Sequence, residues 1–144
     1  MAAEKKYHGH SIVATLADNI ACPGSATTEY TTSDYNFIAG TNSGLKIVVY
    51  ANTAFEVVTG QALNFELMAN TTADPTVGPI TNGHVYLVHK TSADGGLAFD
   101  DGDLICSYVL DPELLGSNVY IRLACEVDTD ESADYYSAFI VPVV

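Results

Sequence analysis

The chain has 144 residues, 48% of them apolar, with 18 acidic and 5 basic side chains and a formal charge of −13. A domain of this length buries roughly two-thirds of its unfolded surface without needing cross-links. Its acidic surface repels phosphate, which argues against direct binding to nucleic acid. Strand-forming residues are spread evenly and no window carries a helical apolar stripe, so the fold class expected is all-β.

Residues 1–10 read as an extended, flexible tail preceding a single domain over residues 11–144. The tail holds Lys5, Lys6, Tyr7, His8 and His10, its one locally cationic stretch. Zinc binding by His8 and His10 would need further ligands that the tail lacks. No apolar signal-like region opens the chain, and no run approaches the ~18 apolar residues of a membrane span.

A short first strand is expected over residues 11–16, and Cys22-Pro23-Gly24 breaks the next apolar stretch. Residues 24–36, rich in Thr, Ser and Tyr, suit either an edge strand or an arm lying on a neighbour. From Gly44, both Leu45-Ile47-Val49 and Val48-Tyr50 alternate, giving a strand apolar on both faces. Leu63, Phe65, Leu67 and Ala69 then alternate with Asn64, Glu66 and Asn70 as a half-buried strand. Long loops over residues 70–83 and 91–103 flank a strand over residues 84–90, on which His84 and His89 face opposite sides.

The region from Asp103 onward reads as three consecutive antiparallel strands forming a meander. Leu104, Cys106, Tyr108 and Leu110 alternate on the first, and Val119, Ile121, Leu123, Cys125 and Val127 on the second. The third covers residues 135–143, with Phe139, Val141 and Val143 on one side and Ala138 and Ile140 on the other. Asp111, Pro112 and Gly116 suit the cap, first position and end of one helical turn between the first two. Eight or nine strands with turn signals between them predict a β-sandwich or barrel. Its expected core contains Leu63, Phe65, Leu67, Ile121, Leu123, Cys125 and Phe139.

The three cysteines, Cys22, Cys106 and Cys125, lack metal-type spacing. They read as reduced, with Cys106 and Cys125 on the core faces of adjacent strands. Asp94, Asp100, Asp101 and Asp103 crowd one Gly-rich loop, which makes them calcium candidates, although the spacing is not that of an EF-hand. A solvated acidic loop is the alternative, and the same applies to Asp128, Asp130, Glu131 and Asp134. No nucleophile elbow or phosphate-cradling loop is present, so no enzymatic activity and no cofactor are expected.

The strand progression GLKIVVYANTAF from Gly44, LNFELMANTTADPT from Leu63, VYIRLACEV from Val119 and SAFIVPVV from Ser137 resembles the jelly-roll capsid cement (decoration) proteins of tailed bacteriophages. The likeness covers residues 33–144 and includes the Asn70-Thr71-Thr72-Ala73-Asp74 loop and the Tyr120-Ile121-Arg122-Leu123 step. The Pro- and Gly-rich loop at 70–83 and the His-containing tail depart from the pattern. The resemblance implies a jelly-roll β-sandwich made in the host cytoplasm. It would bind the outer surface of the virion head and bridge major capsid protein subunits. The strands apolar on both faces suggest a homo-oligomer, dimer or trimer. Lys5, Lys6, Tyr7 and His8 are the expected partner-binding residues. The alternatives are a calcium-dependent carbohydrate- or receptor-binding jelly roll and, last, a cupin-type enzyme.

Overall fold

The structure is a computed structural model that describes residues 12–24, 28–31, 35–36, 44–57, 63–70, 86–90, 97–110, 120–127 and 131–143. The tail expected at 1–10, the helical turn at 111–116 and the loop at 70–83, apart from its first residue, lie outside these. The described residues form eleven strands and no helix. In chain order these are β1 (Ala14–Ala21), β2 (Thr28–Tyr30), β3 (Tyr35–Asn36), β4 (Leu45–Ala51), β5 (Phe55–Val57) and β6 (Leu63–Asn70). They continue with β7 (Tyr86–Lys90), β8 (Leu97–Phe99), β9 (Leu104–Val109), β10 (Tyr120–Val127) and β11 (Tyr135–Pro142).

Two antiparallel sheets form a β-sandwich. The first runs β1-β11-β4-β9, and the second β2-β10-β6-β7 with β3 also on β10. Strands early in the chain pair with strands late in it: β1 with β11, β2 and β3 with β10, β4 with β9, β5 with β8, and β6 with β7. The chain is therefore paired like one long hairpin, whose segments alternate between the two sheets except that β5 and β8 form a separate two-stranded sheet.

The expected meander is corrected by this order. β9 and β11 lie in the first sheet and β10 in the second, so no two consecutive strands of that region pair. Cys106 and Cys125 accordingly face the core from opposite sheets. Period-two alternation reports that a strand buries one face; it carries no information about which sheet receives it.

Six of the seven expected core residues lie between the sheets: Leu63, Phe65, Leu67, Ile121, Leu123 and Cys125. Phe139 is buried on the opposite face of its sheet, in a separate cluster with Val48, Tyr50 and Val141. A strand buried on both faces presents two alternating apolar sets, and periodicity does not rank them. Leu104 departs too. The pairing steps from Val49↔Cys106 to Tyr50↔Leu104, skipping Ile105. This bulge turns both Ile105 and Cys106 inward and leaves Leu104 48% exposed.

β1 extends five residues beyond its expected end at Leu16, to Ala21, because two bulges conceal its alternation. At the first, Leu16 is the extra residue and both Leu16 and Ala17 enter the core. At the second, Asp18 and Asn19 stand against Ser137 alone, and Asn19 takes φ of 56°. A short polar side chain tolerates this left-handed backbone better than most. The Asn19 N–H donates to Ser137 Oγ at 2.8 Å, while Asn52 Nδ2 donates to that oxygen at 2.6 Å and to Asn19 Oδ1 at 3.2 Å.

The segment read as edge strand or arm is an edge strand where it is described. β2 and β3 lie in sequence along β10, opposite Ala124–Glu126 and Tyr120–Ile121 respectively. Buried Thr31 stands between them. Its N–H donates to Leu123 O at 2.9 Å and its Oγ1 accepts from Leu123 N at 3.3 Å. Its carbonyl accepts from Arg122 Nε at 3.0 Å and Nη2 at 2.6 Å.

Two stability outcomes follow from these placements. Leu123 is fully buried, so Leu123→Ala is expected to cost about 2–5 kcal/mol in urea unfolding. Asn19→Ala is expected to destabilise more than Asn19→Gly, by about 1–2 kcal/mol, because glycine loses the Asn52 contact but accepts the left-handed backbone. Equal midpoints for the two variants would contradict that assignment.

Candidate contact surface

The acidic loop resolves into a turn. β8 ends at Phe99, and Asp100, Asp101, Gly102 and Asp103 lead directly into β9. Asp103 N donates to Asp100 O at 3.0 Å, and Asp100 N donates to Asp103 Oδ2 at 2.8 Å. Gly102 has φ of 97°, which its lack of a Cβ allows. Its N–H donates to Ala51 O at 2.8 Å, and Ala51 N donates to Asp103 O at 2.9 Å. The Asp103 carboxylate thus closes its own turn, while Asp100 and Asp101 are exposed. Asp94 lies outside the described residues, among which no group of three or more His, Cys, Asp or Glu side chains is placed to hold a metal ion.

The second acidic cluster also engages the backbone. Asp134 N donates to Glu131 O at 2.9 Å, and Asp134 Oδ1 accepts from Thr53 Oγ1 at 3.3 Å. Asp128 and Asp130 lie outside the described residues, as do Lys5, Lys6, Tyr7, His8, His10 and His84. No helix among the described residues is long and apolar enough to cross a membrane.

The outer faces of the two sheets differ in chemistry. On the second, Glu126 joins its neighbours in a polar rank, accepting from Thr28 Oγ1 at 3.2 Å and Asn64 Nδ2 at 3.4 Å. On the first, Val48, Tyr50, Phe139 and Val141 are at most 3% exposed within the single chain. These side chains suggested an oligomer in the sequence, and here they are covered without one.

Of the six exposed large apolar residues among the described ones, Ile12, Val13, Val109 and Val143 gather at one end of the first sheet, and Leu104 and Tyr135 lie at the other. Val109 pairs with Lys46, and Lys46 pairs with Val141, so the three form one rank on the outer face. Val109 is 54% exposed and Lys46 half-buried. At this same end β1 begins and β11 finishes. Val13 N donates to Ile140 O, and Val143 N to Gly44 O, both at 2.7 Å. Ile12, Val13 and Val143 are all exposed large apolar residues. The result is an apolar end of the sandwich around one lysine, reached by the chain immediately after the tail. Sequence reasoning missed it because four chain segments contribute; the usable signal was apolar residues persisting to the ends of β9 and β11.

The sequence matches no protein-family model and no curated protein.

Deeper in the molecule, burial acts on the acids that ionise at high pH. It raises the Tyr35 and Tyr50 phenols and pushes the Cys106 thiol up to about 12. Cys125 is raised well above its ordinary value by a hydrogen bond with Cys22, then by burial, then by the charges of Cys22, Cys106 and Glu29. Tyr136 is raised by burial first and then by Cys125, Cys22 and Glu29. The folded chain therefore holds protons that the unfolded chain releases from its ordinary thiol value of 9.0 upward. Stability from this source is fully present below about pH 9 and is lost as pH rises towards about 12. The expected slope from Cys106 is about 1.4 kcal/mol per pH unit within this window. Urea midpoints measured across this window check it, with Cys106→Ala giving a shallower decline.

Proposed function

We propose that the chain is a capsid cement protein, binding the outer surface of an assembled phage head and bridging major capsid protein subunits. The observation that carries this reading is the exposed apolar end of the first sheet, with Val109, Val143 and Val13 around Lys46. A strongly acidic chain that leaves such a patch in water has a short-range contact surface for another protein. The early-with-late strand pairing supports a jelly roll, which is a long hairpin rolled into two sheets. The strand resemblance adds the capsid context.

The function follows from linkage. A protein that bridges neighbouring subunits binds the assembled shell and not the free subunits, so its binding free energy is added to shell stability. Neighbouring copies touch across the lattice through the exposed end of the sheet, since Val48, Tyr50, Phe139 and Val141 are already buried. The tail adds reach: Lys5 and Lys6, beside Tyr7 and His8, supply positive charge for an acidic shell. Ordering the tail costs about 1–2 kcal/mol per residue, which its contacts must offset.

Binding to undecorated heads of the encoding phage tests the reading. Val109→Glu, with an unfolding midpoint unchanged from the parent, is expected to weaken binding about tenfold or more, equivalent to about 1.4 kcal/mol. Deleting residues 1–10 is expected to weaken it more at low salt than at high salt. Undiminished binding by both variants, or no binding by the parent protein, would overturn it.

A further inference from the structure

All three thiols are buried in the inter-sheet core and none is cross-linked. Cys22 directly follows β1, where the chain leaves the first sheet to reach β2 in the second. Its N–H is held by Asp134 O at 2.8 Å. Cys125 lies on β10 in the second sheet, paired with Phe65 on one side and Glu29 of β2 on the other. Phe65 meets Tyr136 of the first sheet edge-on, with ring centroids 5.1 Å apart. Tyr136 in turn pairs with Ile20, two residues before Cys22. The crossover thus delivers Cys22 towards the place where Cys125 faces the opposite sheet, and both thiols lie in the same buried cluster.

Cys106 is placed differently. It sits on β9, at the far edge of the first sheet from β1, with β11 and β4 between. Three strand spacings amount to about 14 Å, too far for a disulfide between Cys22 and Cys106.

We propose that Cys22 and Cys125 are a latent disulfide that cross-links the two sheets when the reduced protein meets a low-molecular-weight disulfide. One cysteine, as thiolate, attacks the small disulfide, forming a mixed disulfide and expelling one small thiolate. The second cysteine, as thiolate, then attacks the protein sulfur of that mixed disulfide and expels the other. The pair loses two electrons and two protons, and the small disulfide is reduced to two thiols. Burial makes the reaction slow, because the thiolate is scarce and the oxidant needs a local opening. The non-strand segment at Cys22 opens more readily than the central strand carrying Cys125. The bond closes a loop of about 100 residues, the regime in which a cross-link most restricts the unfolded chain. Thiols stay reduced in a cytoplasm and oxidise outside it, so the cross-link is a stabilisation acquired on release from the cell. The cross-link itself does not depend on the proposed function; its timing on release from the cell rests on that reading.

The test incubates the full chain with glutathione disulfide at about pH 8, where ordinary thiols are partly ionised. Free thiols are then blocked, and the unreduced peptides are mapped by mass spectrometry. The expected result is one linked pair containing Cys22 and Cys125, Cys106 recovered as the blocked free thiol, and a raised unfolding temperature that dithiothreitol reverses. Cys106→Ser keeps the linked pair, and Cys22→Ser loses it. Three free thiols after prolonged oxidation, stable glutathione adducts alone, or a link through Cys106 would overturn the proposal. These readings come from the parent protein and stand even if a variant folds poorly.

Discussion

Two long ladders carry this fold. β10 pairs with β6 over eight consecutive residues and β11 pairs with β4 over seven, and neither register contains a shift. They form the middle of the two sheets, and their inward side chains meet across the core. A one-residue slip in either would send a whole buried set to the outside, so the apolar pattern fixes both registers strongly. The outer strands hang on these four, and there the regularity ends. β1 has two bulges, β9 and β7 have one each, and the strand formed by β2 and β3 is interrupted at Thr31. Every edge of the sandwich is irregular. A regular edge offers unpaired backbone groups to other chains, and bulges and short strands blunt that tendency.

The irregularities need polar partners, and the sequence places them locally. At the second β1 bulge, Ser137 and Asn52 bind the left-handed Asn19. At the β2–β3 interruption, the Thr31 carbonyl receives the Arg122 guanidinium. No buried side-chain nitrogen or oxygen among the described residues lacks a hydrogen-bond partner. Polar satisfaction of this kind lets an edge deviate without the cost of a lost backbone bond. It also gives Arg122 a structural role on a strand where it reads merely as an outward polar residue.

What the sequence reveals depends on how far a signal reaches along the chain. β6 and β10 were legible because one face of each is an unbroken apolar set in the core, while Glu66, Glu126 and Asn64 interrupt the other, where Met68 and Ala124 are also buried. β4 and β11 were legible as strands but not by face, so Phe139 was assigned to the wrong side. Bulges broke the alternation at Leu104 and Leu16, since an extra residue changes parity for everything beyond it. The early-with-late pairing was invisible to a local pattern, and the meander took its place. The candidate contact surface suffered most: Val13, Lys46, Val109 and Val143 are distant in sequence and meet only through three registers. The acidic run was the reverse case, conspicuous in sequence but partly consumed by its own turn through Asp103.

The charge of −13 bears on why the exposed end is apolar rather than ionic. In the proposed role, copies crowded on one shell would repel each other over about 8–10 Å at physiological salt. Contacts between such copies, or with an acidic shell, would gain nothing from more carboxylates and little from scattered exposed ion pairs. Apolar contact acts only at touching distance, where repulsion is a modest addition, and scales with the area removed from water. In solution the same repulsion opposes pairing through a patch this small. On the lattice of the proposed role, one copy would engage several subunits at once, and weak contacts would combine through effective concentration. Under that proposal, an acidic body with an apolar end would stay dispersed when free and be held once its binding surfaces are assembled around it.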